Sequence, residues 1–276
     1  IVCPHPTDCH QYYIFSLDSR STTNLGRGDN YKTQLSYSTV HVSNGVVTLL
    51  RRDIPVIQDF FTEGMAGTIH GNGHDFWIVL RRYNPHSFVA IPITGREINP
   101  NDAVYSFPEH LPPYNPGTQG YGHLRISPNG KMLIDCIGTS SDAISDFDNK
   151  TGVVSNRREF GTIGYVWTFS PGNTKAYCVR EIIKQTNQGN YGVPRLFQTD
   201  VEDASLPTIP IDTLQEKGWQ SNRNSSIRIG SDGKIYFSSQ IVNPKDRSET
   251  SYLSCIEFPD KKGDSCNLQI KKLLLE

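Results

Sequence analysis

Histidines and carboxylates mark the places where this chain could do chemistry, and their spacing limits what that chemistry is. His70 and His74 lie four residues apart. On a helix that spacing would put both imidazoles on one face and suit a metal ion. Between them run Gly71-Asn72-Gly73, which make a turn, so the helical geometry is lost. The expected role of His70 and His74 is therefore in a turn or, with His123, at the mouth of a channel. Asp146, Asp148 and Asn149 have the carboxylate spacing that opens a calcium loop, but the loop is too short for an EF-hand and lacks the later Glu. A structural turn is expected instead, with Asp148 or Asn149 bonding its own backbone and Gly152 at positive φ. No metal or cofactor is assigned.

Local catalytic signatures are absent, while a serine-hydrolase triad assembled from distant Ser, His and Asp residues stays open. The chain has no Gly-x-Ser-x-Gly elbow, no His-Glu-x-x-His and no Gly-x-x-x-x-Gly-Lys phosphate loop. No Gly-x-Gly-x-x-Gly follows a strand and opens a helix. Arg27-Gly28-Asp29 spells an adhesion tripeptide, a three-residue match that chance supplies often. Asn149-Lys150-Thr151 and Asn224-Ser225-Ser226 are N-glycosylation sequons, which matter only in a host that glycosylates them.

The elements that must position these residues are strands. Almost no window shows the i, i+3, i+4, i+7 pattern of a helix, and residues 213–218 are the best short-helix candidate. Four segments share a short strand, a polar turn and a second apolar strand. Their turns are His70-Gly71-Asn72-Gly73, Ser127-Pro128-Asn129-Gly130, Ser170-Pro171-Gly172-Asn173 and Gly230-Ser231-Asp232-Gly233, spaced 57, 43 and 60 residues apart. A weaker fifth copy opens the chain, with Pro6-Thr7-Asp8 as its turn and residues 12–17 as a strand. Third strands follow at 36–42, 87–93, 143–148, 195–200 and 252–258. In the first of these Tyr37, Thr39 and His41 share one face and Ser38, Val40 and Val42 the other. Fourth strands are expected, for instance at 152–155 and 266–270. Four strands per repeat, at a period of roughly 40 to 60 residues, predict an all-β fold: a β-propeller of about five four-stranded blades, forming a single domain over residues 1–276. Residues 99–120, 185–192 and 243–250 read as polar, Pro- or Gly-rich loops between strands, the kind of segment that carries binding.

Six cysteines permit many pairings. Cys3 and Cys9 flank one turn, and Cys255 and Cys266 fall on the third and fourth strands of one blade, so these two local pairs are the disulfide candidates. Cys136 and Cys178, in apolar second strands, also read as buried thiols.

Composition excludes some partners. The 276 residues carry 27 Lys+Arg against 28 Asp+Glu, a net charge of -1 with a pI near 6.8, and no basic stripe for nucleic acid. No apolar run approaches the ~20 residues of a membrane-spanning helix. The opening Ile1-Val2-Cys3-Pro4-His5-Pro6 is neither an initiator methionine nor a signal peptide, and the chain reads as a segment of a larger product.

That opening string, Tyr12-Tyr13-Ile14-Phe15, Leu35-Ser36-Tyr37-Ser38, the turn His70 to Trp77, Asp146 to Gly152 and Gly230 to Tyr236 together resemble the propeller regions of large secreted Bacteroidetes surface proteins. These are the gliding-motility-associated or type IX secretion-associated proteins, in which a propeller precedes β-sandwich modules and a sorting domain. The resemblance implies an extracellular or cell-surface location and a WD-repeat-like propeller, and it carries no catalytic residue. The expected function is a non-catalytic propeller that binds a protein or glycan, or spaces other modules, in motility or adhesion. The alternative is a hydrolase or lyase with its site at the central channel.

Overall fold

The computed structural model describes residues 1–19, 32–109, 111, 123–136, 142–160, 164, 166–186, 189–213, 226–242 and 249–275. Their strands form five four-stranded sheets, or blades, each a meander in which every strand pairs with the next in sequence. Blade 1 comprises β1 (Val2–His5), β2 (Asp8–Ser19), β3 (Thr33–Ser43) and β4 (Val46–Asp59). Blade 2 comprises β5 (Phe61–Ile69), β6 (Phe76–Tyr83), β7 (His86–Ile93) and β8 (Val104–Ser106), with a 3-10 turn η1 (Pro100–Asp102) before β8. Blade 3 is built from β9 (Leu124–Ile126), β10 (Met132–Asp135), β11 (Ala143–Asp148) and β12 (Val153–Glu159). Blade 4 holds β13 (Val166–Phe169), β14 (Lys175–Thr186), β15 (Gly189–Asp200) and β16 (Thr208–Thr213). Blade 5 holds β17 (Ile227–Ile229), β18 (Ile235–Val242), β19 (Glu249–Ile256) and β20 (Leu268–Leu275), with a 3-10 turn η2 (Gly263–Cys266) before β20.

The chain forms two compact units. The first holds blades 1 and 2 and most of blade 3; the second holds blades 4 and 5 with residues 127–129 and 140–143. In the first unit the central strands of blade 2 are apolar on both faces, and the two-residue period of a strand sends alternate side chains to different cores. Ile78 and Leu80 of β6, with Val89 and Ile91 of β7, pack on Tyr13, Phe15, Leu35 and Tyr37 of blade 1. Their sequence neighbours Trp77, Val79, Phe88 and Ala90 pack on Leu124, Leu133, Phe147 and Val154 of blade 3. One blade cannot bury both its faces alone, which is why the sequence repeats. In the second unit Tyr177, Leu196, Ile227, Phe237, Ile256 and Cys266 form the core between blades 4 and 5. No helix among the described residues is long and apolar enough to cross a membrane.

The structure departs from the sequence reading in three places. Residues 99–120 were expected as a loop, yet Val104–Ser106 form β8, the fourth strand of blade 2. Residues 185–192 are largely strand, since β14 and β15 pair out to Thr186↔Gly189. Cys266 lies in η2 rather than on a fourth strand, and Asn267 after it takes the left-handed conformation that ends the turn. Of the helix candidate at 213–218 only Thr213 is described, at the end of β16. Arg27-Gly28-Asp29 and most of residues 243–250 lie outside the described residues.

Candidate functional site

In a meander the first-to-second and third-to-fourth connections leave a blade at the same end. At that end of blades 1 and 2 the chain leaves a cleft of about 390 Å³, lined by His5, Gln11, Tyr13, Tyr37, Thr39, Leu50, Arg51, Gly95, Arg96 and Glu97. Strand pairing assembles most of it. Tyr13 sits opposite Thr39 in β2/β3, and Thr39 opposite Arg51 in β3/β4, so the three side chains form a row across the blade. The β3/β4 register shifts on both sides of Thr39, and such irregularities re-aim side chains. At the same place Asp53 has φ 50 and its N–H donates to Ser38 Oγ at 3.1 Å.

The other wall comes from the connection between β7 and η1. Gly95 has φ +75, and a Cβ there would lie 3.0 Å from Thr7 Cγ2 and 3.4 Å from His5 Cε1. Only glycine combines that conformation with so close an approach. The segment is thereby laid against the first turn of blade 1, which brings Arg96 and Glu97 to the cleft.

Ring packing stiffens the floor. His5 stacks on Tyr13 at 5.0 Å and 15°, and Tyr13 meets Tyr37 edge-on at 5.5 Å. His5 Nδ1 accepts from the Thr7 N–H at 3.3 Å, which leaves Nε2 to carry the proton of the neutral ring. Gln11 commits its amide N–H to Asp8 Oδ2 at 2.7 Å and keeps its carbonyl oxygen. Burial pushes the Tyr13 phenol up to about 12, with Tyr37 and Cys3 adding to the shift and Arg51 opposing it. Among the described residues no ion pair engages Arg51, Arg96 or Glu97, and no hydrogen bond engages the hydroxyls of Tyr13, Tyr37 or Thr39. Among the described lining residues Glu97 is the one carboxylate, so they supply no carboxylate pair for acid–base work. What it offers is guanidinium, hydroxyl and amide groups ready to hydrogen-bond.

The histidines singled out from the sequence lie elsewhere. His70 and His74 belong to the first turn of blade 2. His70 Nδ1 accepts from the Asn72 N–H at 3.0 Å and its ring stacks on Trp77 at 5.2 Å. His74 Nδ1 stands 2.8 Å from Asp75 Oδ1. This turn locks onto the β11–β12 turn of blade 3, where the Asn149 carbonyl accepts from Gly71 N–H at 2.7 Å and Trp77 Nε1–H at 2.8 Å. Asp148 caps its own turn, accepting from Lys150 N–H at 2.9 Å and Thr151 Oγ1 at 2.8 Å, and Gly152 has φ +76. His123 precedes β9, and its carbonyl accepts from Cys136 N–H. A Cβ on Gly130, just past β9, would lie 2.9 Å from Thr68 near the end of β5, so the ends of those strands coincide. His123, before the start of β9 in blade 3, is therefore at the other end of the strands from His70 in blade 2, and the three histidines do not converge.

All six cysteines are free thiols, and all but Cys9 are buried. Cys266 packs in one core with Ile256, and alternation along β19 turns Cys255 to the opposite face of that strand.

A second concentration of charge lies inside blades 2 and 3. Arg81 Nη1 donates to Asp135 Oδ2 at 2.8 Å, and Arg157 Nε lies 3.8 Å from Asp135 Oδ1. These side chains are 5% exposed or less. They form an internal strut rather than an open site.

Neither family models nor curated proteins match this sequence. Solved structures do. A candidate 6-phosphogluconolactonase from Bacteroides fragilis is similar over 99% of this chain and 70% of its own, with 17% identity and a TM-score of 0.51. A second from Bacteroides uniformis gives 16% identity over 99% and 82%, again with a TM-score of 0.51. Hydrazine synthase from Kuenenia stuttgartiensis matches over 82% of this chain at 12% identity and a TM-score of 0.47; the chain spans 59% of its length. The fold is a β-propeller. Similarity at this level of identity speaks of that fold and not of activity.

Proposed function

We propose that this propeller is a non-catalytic binding module of a secreted cell-surface protein, with its ligand, a glycan or protein, seated in the cleft between blades 1 and 2. The observation that carries the reading is the cleft itself. Within the described residues its guanidiniums and hydroxyls are unsatisfied and its lining has a single carboxylate, and it sits on a stiff floor. Pockets of roughly 300–1,000 Å³ with a few convergent polar groups are the usual form of a ligand site. The cell-surface setting, in adhesion or gliding motility, rests on the sequence resemblance.

A glycan array and a pull-down with the chain test this. Binding should be detected and should be lost in Leu50→Trp, which fills the cleft from an exposed position and leaves the core alone. The fold likeness to candidate 6-phosphogluconolactonases makes lactone, ester and polysaccharide hydrolysis the controls. Turnover by the pure protein would overturn the non-catalytic reading.

A further inference from the structure

Buried or half-buried hydroxyls ordinarily find hydrogen-bond partners inside the protein. On one face of blade 1 the hydroxyls of Tyr13, Tyr37 and Thr39 have none among the described residues, although these residues are only 4%, 3% and 6% exposed. The Gln11 carbonyl oxygen and the His5 ring lie along the same cleft. Hydrogen-bonding groups held this densely on a rigid floor match a ligand that is itself dense in hydroxyls. The rings of Tyr13 and Tyr37 are packed into the core, so they offer edges and hydroxyls rather than a stacking face.

Charge adds the second half. Arg51 reaches the cleft from β4 and Arg96 from the β7–η1 connection, so the two guanidiniums belong to opposite walls. Both are exposed and neither has a carboxylate partner among the described residues. Glu97 is the sole acidic residue among the described lining residues, which are net positive in a protein whose net charge is -1. Guanidinium forks bind carboxylates and phosphates in bidentate fashion. We infer that the cleft takes a sugar bearing an oxyanion, with the anion held between Arg51 and Arg96 and the ring hydroxyls bonded by Tyr13, Tyr37, Thr39 and Gln11. The inference rests on the reading of the cleft as the ligand site and names the ligand class.

Isothermal titration of the whole chain with methyl β-D-glucuronide, glucose 6-phosphate and methyl β-D-glucoside tests it. At least one anionic sugar should bind about tenfold or more tightly than the neutral glucoside, and which one does separates a carboxylate from a phosphate ligand. The Arg51→Ala/Arg96→Ala variant should lose that preference, whereas Thr39→Val should weaken charged and neutral sugars alike. Both arginines are exposed, and unchanged circular dichroism would confirm that the double variant folds. Equal binding of neutral and charged sugars, no sugar binding, or a preference that survives the double substitution would overturn the inference. If partner capture is still lost in Leu50→Trp, the cleft remains the ligand site and only the ligand class is wrong. If Leu50→Trp leaves capture intact, the cleft reading itself fails.

Discussion

At the residue scale, Tyr13 joins the cleft to the core. It stacks with His5 on one side and meets Tyr37 on the other, and its phenol is raised to about 12 from an ordinary 10.0, chiefly by burial. Cys3, opposite it in β1, is likewise raised to about 12 from 9.0 by burial, with the N-terminal ammonium opposing. An acid whose folded pKa is raised holds its proton more tightly in the folded chain. Its contribution is complete below the unfolded value and is lost as pH rises through the folded one. Stability measured by urea unfolding should therefore fall between about pH 9 and 12, and Tyr13→Phe should blunt the decline above pH 10. The residues that line this cleft were poorly legible in the sequence. Gln, Thr and Tyr are ordinary strand residues, and they come from separate strands. The shared face of Tyr37, Thr39 and His41 was readable, and the first two do line the cleft. The aim of Arg51 was not, because it depends on a register shift beside Thr39 that no residue pattern announces.

At the scale of elements, the blade was legible because its physics is periodic. Continuous apolar runs such as Trp77-Ile78-Val79-Leu80 are what a strand buried on both faces must look like, and polar Gly-containing turns punctuate them. β8 escaped because it is three residues long and lies between Pro100 and Pro108. The turn at Asp148 was readable from its own chemistry, whereas its lock onto blade 2 was not. There Gly152 is required twice over, by its positive φ and because a Cβ would come within 2.9 Å of the Trp77 ring. The strut of Arg81, Asp135 and Arg157 is likewise a contact between strands distant in sequence. Removing Asp135 would leave two buried guanidiniums without their carboxylate, and breaking a buried pair in this way costs on the order of 3–5 kcal/mol. Asp135→Ala should lower the urea midpoint accordingly, while a loss below about 1 kcal/mol would show that the strut does little for stability.

At the scale of the whole molecule, the cysteines give a direct test. Cys9 alone is exposed, and the buried thiols of Cys3, Cys178, Cys255 and Cys266 are shifted upward by desolvation, which suppresses the reactive thiolate. A thiol reagent should label one site rapidly in the native protein and six after unfolding without reductant. Four after unfolding would show that one local pair, such as Cys3 with Cys9, is bridged. The two compact units differ in another respect. Trp77, hydrogen-bonded to the Asn149 carbonyl, lies in the first, and Trp167, stacked on Phe160 at 4.2 Å, lies in the second. Each unit thus contains its own buried indole fluorophore. With phenylalanine at the other tryptophan positions, emission from Trp77 alone would follow the melting of blades 1 to 3, and emission from Trp167 alone that of blades 4 and 5. Two coincident curves would mean a single cooperative transition, and two separated curves would mean that the chain comes apart in stages.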